Sequence, residues 1–268
     1  MRHSILFPFV LTLLVSSCKK SDDSNATTSP VGKKLVKDFI TDGQYSATSI
    51  YFYDPNGRLA AIQQEITGNG RVTRQGMRVT RNSAGMIEKI RFVDDGSRGD
   101  TISINVTSSG PQYTSAESNT TRNPGIFSTR TNFVYDNSGH IVQVKTLYDV
   151  SGRPYGNIDE LTYQSNNVTT VKTYSVNNGT NTLFSTEEYA YDNKNNPLPF
   201  GNEWILFSLT YYRFYEVASV NNAVKVSRKQ AGTAEQSSTI NYSYNEQNLP
   251  VKGSYSTQPS ITRTFTYE

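Results

Sequence analysis

Polar and hydrophobic residues alternate along most of the chain in short stretches that end at turn residues. Segments 129–135, 144–148 and 171–174 are rich in Thr, Val and Tyr, which is typical of strands. Gly and Asn clusters reverse the chain about every 13 or 14 residues, and such short connections make neighbouring strands antiparallel. The reversals predict about 14 to 17 strands in a single up-and-down meander.

The turns recur in a frame of about 27 residues. Its copies begin at residues 53, 81, 135, 163, 191 and 244. The fifth position is Gly or Asn, which adopt positive φ at low cost, and the second is usually Asp or Asn, whose side chain bonds backbone N–H groups. Together with a turn at 149–152, the pattern predicts structural turn roles for Asp54, Gly57, Gly85, Asp136, Gly139, Asp149, Gly152, Asp192, Asn195 and Asn248.

An open sheet of this length would leave two unpaired edges, and closure into a barrel removes both. We therefore predict an all-β fold, an antiparallel meander that forms a closed or nearly closed barrel, with a long twisted open sheet as the alternative. The strand after Leu183 places Ser185 and Glu187 on one face and Thr186 and Glu188 on the other. Because a membrane-spanning strand needs an apolar outer row, we expect a soluble barrel.

One segment, 195–226, breaks the strand pattern. Residues 198–217 include the most apolar stretch outside the leader, and Trp204, Phe207, Tyr211 and Phe214 follow helical spacing. We predict a short helix or plug here that packs against the barrel, although the aromatic content would also suit a strand. Its rings either close the core or present an aromatic surface to a ligand, for which the candidates are Trp204, Tyr211, Tyr212 and Tyr215.

The N-terminus carries a leader and a tether. Residues 1–17 combine a basic start, an apolar stretch and a small-residue exit, which predicts a secretory signal. Cys18, the single cysteine, follows directly and is the expected site of lipidation, as in a bacterial lipobox. Residues 18–33 are too polar to fold and form a flexible tether, which leaves 34–268 as one repeat-built β domain.

Composition excludes several functions. A net charge of +3, without a basic cluster, argues against nucleic-acid binding. The chain has one Cys and two His, and one of the His lies in the leader. These are too few side chains for a metal centre or for His-based catalysis. We expect no metal, no cofactor and no catalytic residue.

The Tyr-Asp-x-x-Gly turn at Tyr53, followed by Leu59 and Ile62, resembles the YD repeat of bacterial cell-surface proteins. The Ser-Cys-Lys-Lys sequence at 17–20 is followed by the acidic pair Asp22-Asp23. With these features the whole chain is similar to surface lipoproteins of Bacteroidetes that carry a domain described as a porin-like barrel. This resemblance implies an outer-membrane lipoprotein exposed at the cell surface, with the periplasmic face as the alternative.

Three functions follow as hypotheses. The first is a non-enzymatic binding module for a polysaccharide or another extended ligand, because strands can present aromatic rings in rows. The second is a structural envelope protein that binds a surface protein. The third, a glycan-cleaving enzyme, needs two carboxylates across a cleft, and Glu160, Glu187, Glu188 and Glu203 are its candidates.

Overall fold

The computed structural model describes residues 33–94, 101–120, 128–198, 202–209 and 214–268. Within these ranges the chain forms sixteen strands and two short helices. The first eight strands are β1 (Leu35–Thr41), β2 (Tyr45–Tyr53), β3 (Leu59–Gly68), β4 (Arg71–Arg81), β5 (Ile87–Asp94), β6 (Thr101–Ser109), β7 (Gln112–Thr120) and β8 (Thr129–Tyr135). They are followed by β9 (Ile141–Val150), β10 (Arg153–Gln164), β11 (Asn167–Asn177), β12 (Thr180–Asn195), α1 (Asn202–Ser208), α2 (Phe214–Val217), β13 (Asn221–Gln230), β14 (Gln236–Tyr244), β15 (Pro250–Tyr255) and β16 (Thr262–Tyr267).

The sheet is a closed barrel in which every strand pairs antiparallel with its neighbours in sequence. β1 and β16 close it, with a register that runs from Leu35 opposite Tyr267 to Thr41 opposite Thr262. Beyond this seam, Lys34 and Glu268 exchange two backbone hydrogen bonds of 2.9 and 3.1 Å. The predicted closed meander is therefore confirmed, and the open-sheet alternative is wrong. Residues 33–268 leave no strand edge unpaired among the described elements.

The repeat turns gather at one end of the barrel, here called the repeat-turn end. In the turn after β2, the Asp54 carboxylate accepts hydrogen bonds from the N–H groups of Asn56 and Arg58, both at 2.9 Å. Asp136 and Asn245 repeat this arrangement in the turns after β8 and β14. The position that closes each turn has positive φ, at Gly57 (77°), Gly85 (82°), Gly139 (83°) and Asn248 (60°).

Hairpins at the other end, here called the hairpin end, follow a shorter pattern. The Asp149 carboxylate accepts a 2.7 Å bond from the N–H of Gly152, whose φ is 78°. At both ends, therefore, hydrogen bonds to nearby carboxylates and residues with positive φ stabilise the chain reversals.

Two of the predicted turn residues lie inside a strand and not between two strands. Asp192 and Asn195 both lie within β12, and Asn195 pairs with Asn221 of β13. The chain does not reverse here because β12 continues into the helical segment. The Asp192 carboxylate still accepts a turn-type hydrogen bond from the Lys194 N–H at 2.9 Å, and it also binds the Asn222 amide and the Tyr244 hydroxyl from β13 and β14.

α1 and α2 form a plug inside the barrel, which confirms the helix or plug expected near 198–217. Leu198, Ile205, Leu206, Phe207 and Val217 are buried in one core cluster with inward residues of the strands. These strand residues are spread around the barrel, from Leu35 on β1 to Phe265 on β16. Ion pairs fix the plug to the wall, since Glu203 of α1 pairs with Arg81 of β4.

A set of tyrosines ties neighbouring strands together at the repeat-turn end. Each stands at or near the end of an even-numbered strand and donates its hydroxyl to a carbonyl near the start of the preceding strand. The pairs are Tyr53 with Leu35 (2.8 Å), Tyr135 with Tyr113 (2.9 Å), Tyr191 with Val168 (2.5 Å) and Tyr267 with Pro250 (2.7 Å). These tyrosines are therefore partly buried rings whose hydroxyl groups are hydrogen-bonded.

Charged side chains mark the outer face of the barrel. Arg78 stands opposite Arg91 across β4 and β5, and both are exposed. Exposed ion pairs join Glu65 to Arg74 at 2.8 Å and Glu117 to Arg130 at 4.0 Å. A lipid-facing barrel instead carries a continuous apolar band. Neither helix in the described part of the chain has the length and apolar character needed to cross a membrane.

We expect Tyr135→Phe to lower the free energy of unfolding by about 1–3 kcal/mol, because it leaves the Tyr113 carbonyl without this donor. The Tyr113 N–H, which donates to the same hydroxyl at 3.1 Å, also loses its acceptor. Urea unfolding followed by circular dichroism measures the change. The control is Tyr45→Phe, whose ring is 45 % exposed and which we expect to change stability by less than about 0.5 kcal/mol. Equal effects of the two variants would contradict the role of this hydroxyl.

Candidate functional site

The lumen contains a cavity of about 310 Å³ between the wall formed by β6 to β10 and the plug. Its polar lining consists of hydroxyl and amide side chains and a single carboxylate. The lining residues are Ile104, Ala116, Ser118, Thr129, Thr131, Val144, Thr146, Asn157, Asp159, Ser208 and Leu209. The volume lies at the lower end of the range typical of small-ligand pockets.

Strand alternation and register bring these side chains to one place. Thr131 of β8 stands opposite Thr146 of β9, and their hydroxyls are 3.0 Å apart. On the next strand, Asn157 stands opposite Thr146, and Asp159 opposite Val144. Since every second residue of a strand faces the same side, one polar row follows the inner wall across three strands.

The plug provides the remaining wall of the cavity. Ser208 ends α1 and Leu209 follows it, and both lie against the cavity while Ile205 to Phe207 are buried beside them. Ile104, Ala116, Val144 and Leu209 add apolar surface. The site thus offers hydrogen-bonding groups on one side and apolar contact on the other, the combination that holds the polar edge and apolar face of a ring.

Asp159 is the carboxylate of this cavity. The Thr173 hydroxyl donates a 2.7 Å hydrogen bond to it from β11. Burial raises the pKa of Asp159, the Thr173 bond opposes this, and the negative charge of Glu187 raises the pKa further. Glu187 pairs with Arg228 at 3.2 Å and accepts a hydrogen bond from Tyr189.

A second cavity, of about 180 Å³, lies where β1, β2 and β3 reach the hairpin end. Its lining is mostly apolar, with Thr41, Asp42 and Ser46 as the polar members: Ile40, Thr41, Asp42, Tyr45, Ser46, Ala47, Ile66 and Ile261. It has fewer hydrogen-bonding groups than the 310 Å³ cavity, and is therefore the weaker candidate for a polar ligand.

The aromatic residues singled out in the sequence are only partly placed. Trp204 lies in α1 and Tyr215 in α2, but their side chains are outside the described part of the structure, as are Tyr211, Tyr212 and Cys18. The aromatic binding surface and the lipidation site therefore stay predictions.

The candidate carboxylates are separated. Glu203 pairs with Arg81 in the plug, Glu187 with Arg228 on the wall, and Glu160 and Glu188 are exposed. Within the described ranges, no group of three or more His, Cys, Asp or Glu side chains is placed to hold a metal ion.

Sequence reasoning missed the lumen cavity, including Asp159. The sequence of β10 did contain a signal for it. Asp159 is two residues from the core residue Leu161 and therefore lies on the same, inward face of the strand. An acidic residue on an inward strand position is costly unless it has a partner or a ligand. The threonines gave no comparable signal, because Thr is frequent on both faces of these strands.

No protein-family model matches this chain, and no curated protein sequence matches it either. Its fold is similar to the crystal structure of a porin-like protein from Bacteroides uniformis, at 13 % identity and a TM-score of 0.54, over 87 % of this chain and 96 % of that one. A porin-like protein from Bacteroides vulgatus aligns at 9 % identity with a TM-score of 0.48, over 88 % and 99 % of the two chains. The similarity to the first structure confirms the expected porin-like barrel as a fold.

We expect Asp159→Asn to stabilise the protein at pH 7. The folded-state pKa of Asp159 is raised, so the wild type loses stability as pH rises through the interval between the unfolded and folded pKa values. Asn cannot ionise, so its advantage should vanish at a pH below both values. Thermal unfolding of the two proteins across acidic and neutral pH measures this.

The control for that measurement is Asp42→Asn, for which the opposite sign is expected. Backbone N–H groups of Tyr45 and Gln44 bond the Asp42 carboxylate at 2.7 and 2.9 Å and lower its pKa. Its contribution to stability is present above the unfolded pKa and is lost as pH falls through the folded pKa. A pH-independent effect of Asp159→Asn would contradict the role of burial.

Proposed function

We propose that this protein is a lipid-anchored binding protein of the cell envelope that takes part of a glycan into the lumen of its barrel. The observation that carries the proposal is the 310 Å³ cavity, in which hydroxyl, amide and carboxylate groups face apolar surface. A sugar ring presents hydroxyls at its edge and C–H groups on its faces, so it matches both kinds of wall. We assign no reaction to the site.

The plug segment supports the same ligand class. Tyr211 and Tyr212 follow the cavity residue Leu209 by two and three positions in the sequence. Aromatic rings near a sugar site add stacking surface, and this is the aromatic platform expected from the sequence. In this proposal the lumen binds one sugar unit and the aromatic residues contact its neighbours.

The proposed location is the outer membrane, with the barrel exposed at the cell surface. The lipobox-like sequence before Cys18 and the polar tether support a lipid anchor. The charged outer face, with exposed pairs such as Glu65 and Arg74, supports a barrel in water. The membrane is then contacted through the acyl chains.

The double substitution Thr131→Val and Thr146→Val tests the lumen site. It removes two cavity hydroxyls and keeps side-chain shape, so we expect glycan affinity to fall about tenfold or more. Stability should change little, because both partners of the Thr131–Thr146 contact are replaced together. Residues 33–268 are screened against bacterial and host polysaccharides by affinity electrophoresis, and calorimetry then measures the affinity of each protein for the glycans that bind.

The matched control is Thr162→Val with Thr170→Val, a pair that faces each other across β10 and β11 on the other side of the sheet. We expect this variant to bind like the wild type. The proposal is wrong if no polysaccharide binds the wild type, or if both double variants weaken binding equally.

The anchor has its own test, the substitution Cys18→Ser. We expect the wild type to incorporate a radiolabelled fatty acid and to sediment with membranes, because each buried methylene of an acyl chain contributes about 0.8 kcal/mol. The Ser variant should lose both properties, while Ser21→Ala, three residues along the tether, should keep them. Unchanged labelling of Cys18→Ser would overturn the anchor.

A further inference from the structure

Asp159 lacks a cationic partner among the described residues. Its carboxylate accepts a hydrogen bond from the Thr173 hydroxyl, and the charge of Glu187, which acts on it, is negative. Glu187 itself is paired with Arg228 at 3.2 Å. A half-buried carboxylate in this setting is poorly compensated.

The cavity around Asp159 supplies hydrogen bonds but no positive charge. Its other polar members are five hydroxyls and the Asn157 amide: Ser118, Thr129, Thr131, Thr146 and Ser208 carry the hydroxyls. These groups are suited to bind ligand hydroxyls, whereas the carboxylate is complementary to a cation. A ligand that carries both features would offer hydrogen-bond partners to the hydroxyl and amide groups and a counter-ion to Asp159.

We propose that the cavity recognises an amino sugar with a free, protonated amine, which forms a charge-assisted hydrogen bond to Asp159 while the sugar hydroxyls bond the surrounding threonines. This inference rests on the proposed function and narrows its ligand class. N-acetylation removes the charge of the amine, so an acetylated sugar leaves Asp159 without a counter-ion. An acidic sugar is repelled by Asp159 and by Glu187 beside it.

Overall charge does not favour this ligand. The chain carries a formal net charge of +3, so a cationic oligosaccharide is repelled at long range. A preference for the cationic form must therefore come from a local site. Tighter binding of the amine-bearing oligosaccharide would therefore report on the cavity and not on the net charge of the protein.

The experiment compares glucosamine oligomers, N-acetylglucosamine oligomers and glucose oligomers of one length, by calorimetry with residues 33–268 at a pH where the amine is protonated. We expect the glucosamine oligomer to bind at least about tenfold more tightly than the other two. Asp159→Asn should reduce this ratio to about one. Asp149→Asn, which changes a carboxylate in the hairpin between β9 and β10, should leave it unchanged.

The pH dependence gives a second readout. Binding of the glucosamine oligomer should weaken as pH falls through the pKa of Asp159, because protonation removes the counter-ion. The Asp159→Asn protein should not show this acidic decline. Residual binding and folding of that variant, followed by circular dichroism, show that the cavity is intact.

The outcomes separate the two proposals. Equal affinity for charged and neutral oligomers, or a charge preference that survives Asp159→Asn, overturns this inference and leaves glycan binding in place. Failure of every oligomer and polysaccharide to bind overturns both. A tenfold preference lost in Asp159→Asn alone supports both.

Discussion

The barrel depends on a buried ionic triad at its closing seam. Arg263 of β16 donates to both oxygens of Asp38 of β1 at 2.9 and 3.0 Å, and to Glu216 of the plug at 2.7 Å. Burial alone would lower the pKa of Arg263, but Asp38 and Glu216 hold it well above its ordinary value. One guanidinium thus joins the two terminal strands and α2. Because each partner would be an uncompensated buried charge without the other two, closure and plugging are coupled.

That coupling explains how a chain of locally stabilised hairpins forms a single closed barrel with its plug. Each repeat turn is stabilised within a few residues, and tyrosines such as Tyr53 and Tyr135 join their own strand only to the preceding one. None of these contacts selects a closed sheet over an open one. Long-range specificity comes from the seam and from the apolar plug, whose Leu206 and Phe207 pack against strands on several sides of the lumen.

The parts that local chemistry decides could be predicted from the sequence. Turn positions, strand number and the plug follow from Asp, Asn, Gly and aromatic patterns that act over a few residues. Asp192 matches the repeat and accepts the Lys194 N–H as in a repeat turn, but its further contacts to Asn222 and Tyr244 come from later strands and follow from no local pattern. Apart from the inward position of Asp159, the cavity lining could not be predicted, since register shifts such as the one between Thr162 and Tyr163 decide which residues face inward.

The distribution of inward residues determines what the lumen can do. At the repeat-turn end, inward residues such as Ile90 and Ile141 pack with α1 into a core that excludes water. Further along the same strands, Thr146 and Asp159 face a cavity instead. In the proposed role, a ligand in this cavity contacts polar groups beside the plug, and the arrangement suits binding within the lumen. Leaving a carboxylate there costs stability at neutral pH, and a bound cation would offset that cost.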